Sequence, residues 1–189
     1  MRRFDEALAQ YKHALGLDPL NRTLNTNLAG IYEDKGQYDQ ALDQYQKTIE
    51  IDPNYAPAHD SLSHFYRDRG KYELWLEEWK KAATLNQDAD DLSICEEVAR
   101  VYAKSGYRSA ISRNIELRKK LAQRRYFDPA VIAYQNAILG DKEQVFFWLQ
   151  KAYSEKSGRL QFIKVAEPLD PFRSDPRYID LVKNMGLPL

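Results

Sequence analysis

The feature that most constrains this chain is a recurrence of 34 residues. Asp18-Pro19 and Asp52-Pro53 stand 34 apart, and Gln87 occupies the next slot. From Arg22 to Tyr55, apolar Leu24, Leu28, Ile31 and Tyr32 follow a helical period. Gly36 interrupts it, and Tyr38, Ala41, Leu42, Tyr45 and Ile49 resume it. The unit therefore reads as two short amphipathic helices and a turn. Helices this short gain their stability from packing an apolar face, so stacked neighbours must supply the core.

At these residues the chain resembles the tetratricopeptide repeat family, whose unit is a 34-residue helix-turn-helix. With Arg22 as repeat position one, the signature slots hold Leu28, Ala29, Tyr32, Gly36, Tyr38, Ala41, Tyr45 and Pro53. Two slots depart: Asn25 stands where a large residue such as Trp is usual, and Thr48 where Ala is usual. The resemblance implies an all-α fold, a right-handed α-α superhelix or solenoid with C-terminal capping helices. Ala29 and Ala41 would then meet where the two helices approach most closely, with tyrosines between repeats.

In chain order, Phe4, Ala7, Leu8, Tyr11, Ala14 and Leu15 match the second helix of a repeat, so residues 1–21 read as a half repeat. Apolar surface around Phe4, Leu8 and Tyr11 is expected to be partly uncovered, which favours self-association into a homodimer. The opening in mid-repeat suggests the C-terminal piece of a longer protein. Residues 22–55 and 56–89 are full units. In the second, Trp75 falls in the slot where Ala is usual, so either the helix pair splays or Leu74 or Leu76 turns inward instead. The third unit, 92–125, has a turn one residue short, because Ala110 follows Gly106 more closely than Ala41 follows Gly36.

The fourth unit, 126–157, opens at Asp128-Pro129, an N-cap followed by proline at the first helical position. Phe146, Phe147 and Trp148 cover more than one side of its second helix, so part of that surface should pack on the tail. Residues 158–189 leave the pattern as a cap, with Pro168 and Pro171 expected to stop a short helix and Asp175-Pro176 to start the last one. The series Gly140-Asp141-Lys142, Trp148-Leu149, Lys151-Ala152-Tyr153, Leu169 to Arg177 and Met185-Gly186-Leu187-Pro188 is similar to the end of tetratricopeptide regions in large bacterial regulators. Those proteins carry kinase, cyclase or winged-helix domains. A single domain of this kind is expected, the docking or sensing part of a bacterial signalling regulator.

Charge does not name a partner, since 28 basic residues balance 28 acidic ones. Cys95 alone permits no intramolecular disulfide, and no apolar run is long enough to span a membrane. The expectation is a cytoplasmic protein with no membrane contact. Arg108, Arg113, Arg118, Lys119, Lys120, Arg124 and Arg125 are offset only by Glu116, but without interleaved aromatics this basic helix, 108–125, is a weak nucleic-acid signal.

Chemistry is sparse. His59 and His64 are five apart and diverge around the helix axis, where aligned metal ligands would be four apart. Neither a phosphate loop nor a nucleophile with an arranged base is evident, so no enzyme activity, metal or cofactor is expected. The resemblance instead implies a concave groove lined by first helices, binding a protein or peptide. Its outward positions correspond to Thr23, Thr26, Asn27, Gly30, Glu33 and Asp34 in the first full unit. In the second they are Pro57, Asp60, Ser61, His64, Arg67 and Asp68, and in the third Ser93, Glu96, Glu97, Arg100, Ala103 and Lys104. The polar members best suited to hold a partner are Thr23, Asn27, Glu33, Asp34, Asp60, His64, Arg67, Asp68, Glu96, Glu97, Arg100 and Lys104. Members that clamp acidic chaperone tails use Lys and Asn where this chain has Thr26 and Gly30, and Glu96 would repel a carboxylate. The resemblance thus implies a partner other than a chaperone tail.

Overall fold

The computed structural model describes residues 4–188, and their regular structure is entirely helical. The helices are α1 (Phe4–Leu17), α2 (Arg22–Asp34), α3 (Tyr38–Ile51), α4 (Ala56–Asp68), α5 (Tyr72–Leu85), α6 (Ala89–Leu121), α7 (Pro129–Leu139), α8 (Lys142–Ser154) and α9 (Pro176–Asn184). Two 3-10 helices, Gly158–Phe162 and Glu167–Phe172, lie between α8 and α9. The chain forms two compact units, the first ending at Glu96 and the second beginning at Glu97, within α6.

In the first unit α2 packs on α3 and α4 on α5, as the repeat pattern requires, and α1 packs on α2. One core cluster joins Leu28, Ala29, Tyr32, Ala41, Tyr45, Leu62 and Phe65, with Leu8, Tyr11 and Leu15 of α1 packed against it. Ala29 and Ala41 are both fully buried there, which is where the repeat requires small side chains. Phe4, Leu8 and Tyr11 are half-buried, and the strongly exposed apolar residues are Leu17 and Leu20 just beyond them, at 79% and 69%.

The residues that leave the repeat pattern form a polar system of their own. Asn25 is wholly buried, and its amide donates to the carbonyls of Pro19 (3.0 Å) and Asn21 (2.9 Å) while its Oδ1 accepts from Gln44. One repeat later the same stations are His59, Pro53 and Glu78. The His59 Nε2 lies 2.9 Å from the Pro53 carbonyl and Nδ1 lies 2.6 Å from Glu78 Oε2. Helices α2 and α4 are thus each tied both to the turn before them and to their second helix by a buried polar side chain. Thr48, also buried, donates to the Gln44 carbonyl, which satisfies its hydroxyl inside the helix.

Trp75 is turned inward, 2% exposed, and stacks on Trp79 with centroids 5.7 Å apart. Leu74 is exposed while Leu76 is buried along with Trp75, so the indole takes the place of the expected small residue rather than yielding it to a leucine. Where Pro19 and Pro53 follow the first two second-helices, α5 instead ends on Gln87 in the left-handed conformation (φ 53°), with Asp88 N–H donating to the Ala83 carbonyl.

In the second unit the short turn has a clear effect. Helix runs on either side of Gly106, whose φ of 75° and ψ of −179° break the helical path at that one residue. Only glycine occupies this region of backbone space without strain. Regular helix ends at Leu121, short of Arg125, as the chain turns to bond Arg124 and Arg125 N–H groups to the Leu121 carbonyl.

Asp128 caps α7 by accepting from Ala130 N–H (2.9 Å), and Ser157 donates to both of its carboxylate oxygens (2.6 and 2.8 Å). The start and end of the fourth repeat are thereby fastened together. The tail covers the repeat as its aromatic run requires: Phe146 meets Phe172 edge to face at 6.3 Å. Leu160, Ile163, Leu169, Phe172, Tyr178, Leu181 and Val182 complete one cluster with Ala133, Val145 and Leu149. Pro168 and Pro171 lie within the second 3-10 helix rather than after a single one, because proline suits the first turn of a helix and this one makes few interior bonds. Arg173 bridges Asp170 and the Tyr178 hydroxyl, and that hydroxyl donates to the Ile163 carbonyl.

Candidate functional site

The candidate site in the first unit is the face of α2 and α4, which touch each other directly. Both helices start from turns set by the repeat, Asn21 capping α2 through the Leu24 N–H. Thr23 and Asn27 are exposed, and their side chains reach tyrosine hydroxyls: Thr23 Oγ1 is 3.0 Å from Tyr55 and Asn27 donates to Tyr11 at 3.3 Å. Thr26, the residue between them in the outward series, is buried and donates to the Arg22 carbonyl, so it faces the helix rather than the groove.

Toward the far ends of α2 and α4 the charges gather. Glu33 is half-buried and accepts from the Tyr45 hydroxyl at 3.2 Å. Burial, then the nearby Asp68 carboxylate, pushes its carboxyl up to about 7, against the opposing pull of Arg69. Burial and the charge of Glu33 push the Tyr45 hydroxyl upward in turn. Asp34 and Asp68 are exposed beside it. Along α4, Asp60 and His64 lie 3.8 Å apart, the His64 ring contacts Arg67 at 3.3 Å, and Arg67 pairs with Asp68 at 2.8 Å.

These residues make a polar strip with an acidic end, held in shape by its own contacts. His59 takes no part in it, since it is buried on the opposite side with Glu78. Of the remaining groove candidates, Glu96 is exposed in the first unit and pairs with Lys80 at 3.1 Å. Glu97, Arg100 and Lys104 belong to the second unit, where Glu97 bridges Arg100 (3.1 Å) and Arg113 (3.2 Å) and Lys104 is exposed. Tyr55 was not legible as a site residue, and Tyr11 was expected at a self-association surface rather than beside Asn27. Tyr55 is the last position of its repeat, and only the folded pair of helices brings its hydroxyl to Thr23.

Part of the basic helix is engaged in protein contacts, while Arg108, Lys120, Arg124 and Arg125 are exposed. Arg108 donates to the Leu139 carbonyl at 2.9 Å, and Arg113 pairs with both Glu97 and Glu116. Arg118 is buried with its guanidinium 4.8 Å from the Phe127 ring. A shallow depression runs beside these residues, lined by Val101, Arg108, Ser109, Ser112, Arg113, Glu116 and Leu139. The guanidinium groups there already have acceptors.

Residues 1–64, from the half repeat through most of α4, match the family model of the tetratricopeptide repeat. Repeats of this family generally mediate protein–protein interaction. No curated protein matches the chain. Among the described residues no helix is long and apolar enough to cross a membrane.

Proposed function

We propose that this chain is a protein-interaction module that holds an extended or helical segment of a partner protein along α2 and α4. The carrying observation is the acidic end of that face, where exposed Asp34 and Asp68 lie beside half-buried Glu33, whose carboxyl is raised first by burial and then by Asp68 and Asp34. Such a strip favours a segment with Lys or Arg side chains, whose register is set by several weak polar contacts at Thr23, Asn27, Asp60 and His64. The action is binding rather than catalysis. The order of residues from Leu169 to Arg177 supports a role as the docking part of a larger bacterial regulatory protein.

Peptides selected by display on the whole chain, measured by calorimetry, test the reading. Basic peptides should bind roughly tenfold more weakly to Asp34→Asn/Asp68→Asn, a loss of the size expected for one charge-assisted contact. Selected peptides without basic residues, or with equal affinity for that variant, would refute the site.

A second reading has its own observation. No residue of α1 is buried, and Leu17 and Leu20 expose apolar surface next to it. A second copy could cover them. Sedimentation across a concentration series should then show a dimer that Leu17→Glu/Leu20→Glu abolishes, and a monomer throughout removes the idea.

A further inference from the structure

The second unit carries an aromatic and basic cluster of its own on α6 and α8. Phe147, on α8, is 60% exposed and meets the Trp148 ring edge to face at 5.3 Å. Two ammonium groups flank the same indole: Lys119 Nζ is 5.5 Å from its centroid and Lys151 Nζ 5.6 Å. Both distances lie in the cation–π range. Gln144 holds the group together, because its Oε1 accepts from Lys119 (2.9 Å) and from the indole N–H (3.2 Å). Gln144 is itself fixed in the first turn of α8, where its N–H donates to the capping Asp141.

The electrostatics of the cluster are one-sided. Lys119 has no carboxylate partner among the described residues, and its remaining ammonium hydrogens have no protein acceptor. Lys151 has a distant one in Glu155, 3.6 Å away on the same helix. The nearby acids are otherwise engaged, Glu116 with Arg113 and Glu143 with Arg177. A ring exposed on a rigid helix, beside two ammonium groups held in place by an indole and an amide, is a preorganised anchor for an apolar side chain flanked by carboxylates.

We infer that Phe147, Trp148, Lys119 and Lys151 form a second docking site, one that takes an acidic linear segment of a partner protein with an apolar side chain seated on Phe147. Charge complementarity selects the segment's class. Single-stranded nucleic acid fits less well, since it needs successive stacking platforms and an open basic track. In this cluster Phe147 is the strongly exposed ring, and Arg108, Arg113 and Arg118 of α6 are engaged in protein contacts.

The test uses the whole chain and a fluorescein-labelled, glutamate-rich synthetic peptide with a central Leu-Phe pair, followed by anisotropy at low salt. Polyglutamate of the same length and oligothymidylate serve as competing probes. The Leu-Phe peptide should bind saturably and compete better than polyglutamate. Affinity should fall at least tenfold in Phe147→Ser and again in Lys119→Gln/Lys151→Gln, the change that loss of a charge-assisted contact implies. All three positions are at least partly exposed, and far-UV circular dichroism with melting curves checks that the variants fold. Absence of saturable binding, equal binding by the variants, or tighter binding of oligothymidylate that the peptide cannot displace would each overturn the inference.

Discussion

Exchanging the polar tie of the second full repeat for that of the first, by His59→Asn/Glu78→Gln, tests whether the two sites are interchangeable solutions to one problem. The Pro53 carbonyl can only accept, so His59 Nε2 carries a hydrogen, and one proton must lie between Nδ1 and the Glu78 carboxylate at 2.6 Å. With Asn at 59, both amide hydrogens are required by the carbonyls of the preceding turn, as Asn25 shows, which leaves its oxygen facing the Glu78 carboxylate. Two acceptors then face each other in a buried site, and the single change should cost about 2–4 kcal/mol. Glu78→Gln alone leaves an amide that can donate to a neutral imidazole nitrogen, so it should cost about 1 kcal/mol or less. Lys81 keeps Glu77 at 3.1 Å in that variant. The double variant recreates the Asn25–Gln44 arrangement and should regain most of the loss, a coupling of about 2 kcal/mol. Urea denaturation of all four proteins at neutral pH measures the cycle. Additive losses would refute the equivalence of the two ties.

Other consequences are shorter. Because Glu33 is raised from 4.5 to about 7, the folded state holds more protons than the unfolded one between those values. Its contribution therefore falls as pH rises through that window, by up to about 3 kcal/mol before solvent screening of the half-buried group. Glu33→Gln should flatten the loss between pH 5 and pH 8 in urea titrations, and an unchanged pH slope would contradict the assignment. Gly106→Ala meets no neighbour but forces a side chain into the glycine-only backbone region, so the melting temperature should drop by the equivalent of about 1–3 kcal/mol. An unchanged melting temperature would mean that the break can straighten without cost. Gln87→Gly relieves the left-handed strain at the end of α5 and should stabilise by about 1 kcal/mol, read from the same melts.

The helix pairs of the first unit were legible because apolar period and turn glycines agree there, with Asp-Pro stops after α1 and α3. The Asp128 cap and the burial of Phe146 under the tail followed from the same local rules. Trp75 was not legible, because periodicity says which way a side chain points but not how much volume its neighbours leave. Asn25 read as a departure from the pattern and His59 as a histidine without an aligned metal partner; their bonds to Pro19 and Pro53 were not legible, since each depends on the turn geometry as well as the helix. The partners of the basic run were not legible for a related reason: Arg113 pairs with Glu97 and Arg118 is buried against the Phe127 ring, contacts that the helical period does not show. Lys119 and Trp148 come from different repeats, so no local window contains their meeting.

The differing ties of the two repeats also bear on how the chain avoids mispairing with itself. Helix pairs built on one pattern invite exchange between repeats or between molecules during folding. A slipped pair of α2 with α5 would set the Asn25 oxygen against the Glu78 carboxylate, while α4 with α3 would present Ala41 to the space that Trp75 fills. The departures from the repeat pattern thus act as keys that make each helix recognise its own neighbour. Refolding at high concentration offers a check by size exclusion: exchanged dimers should be more abundant in His59→Asn/Glu78→Gln, where the polar keys of the two repeats have become the same.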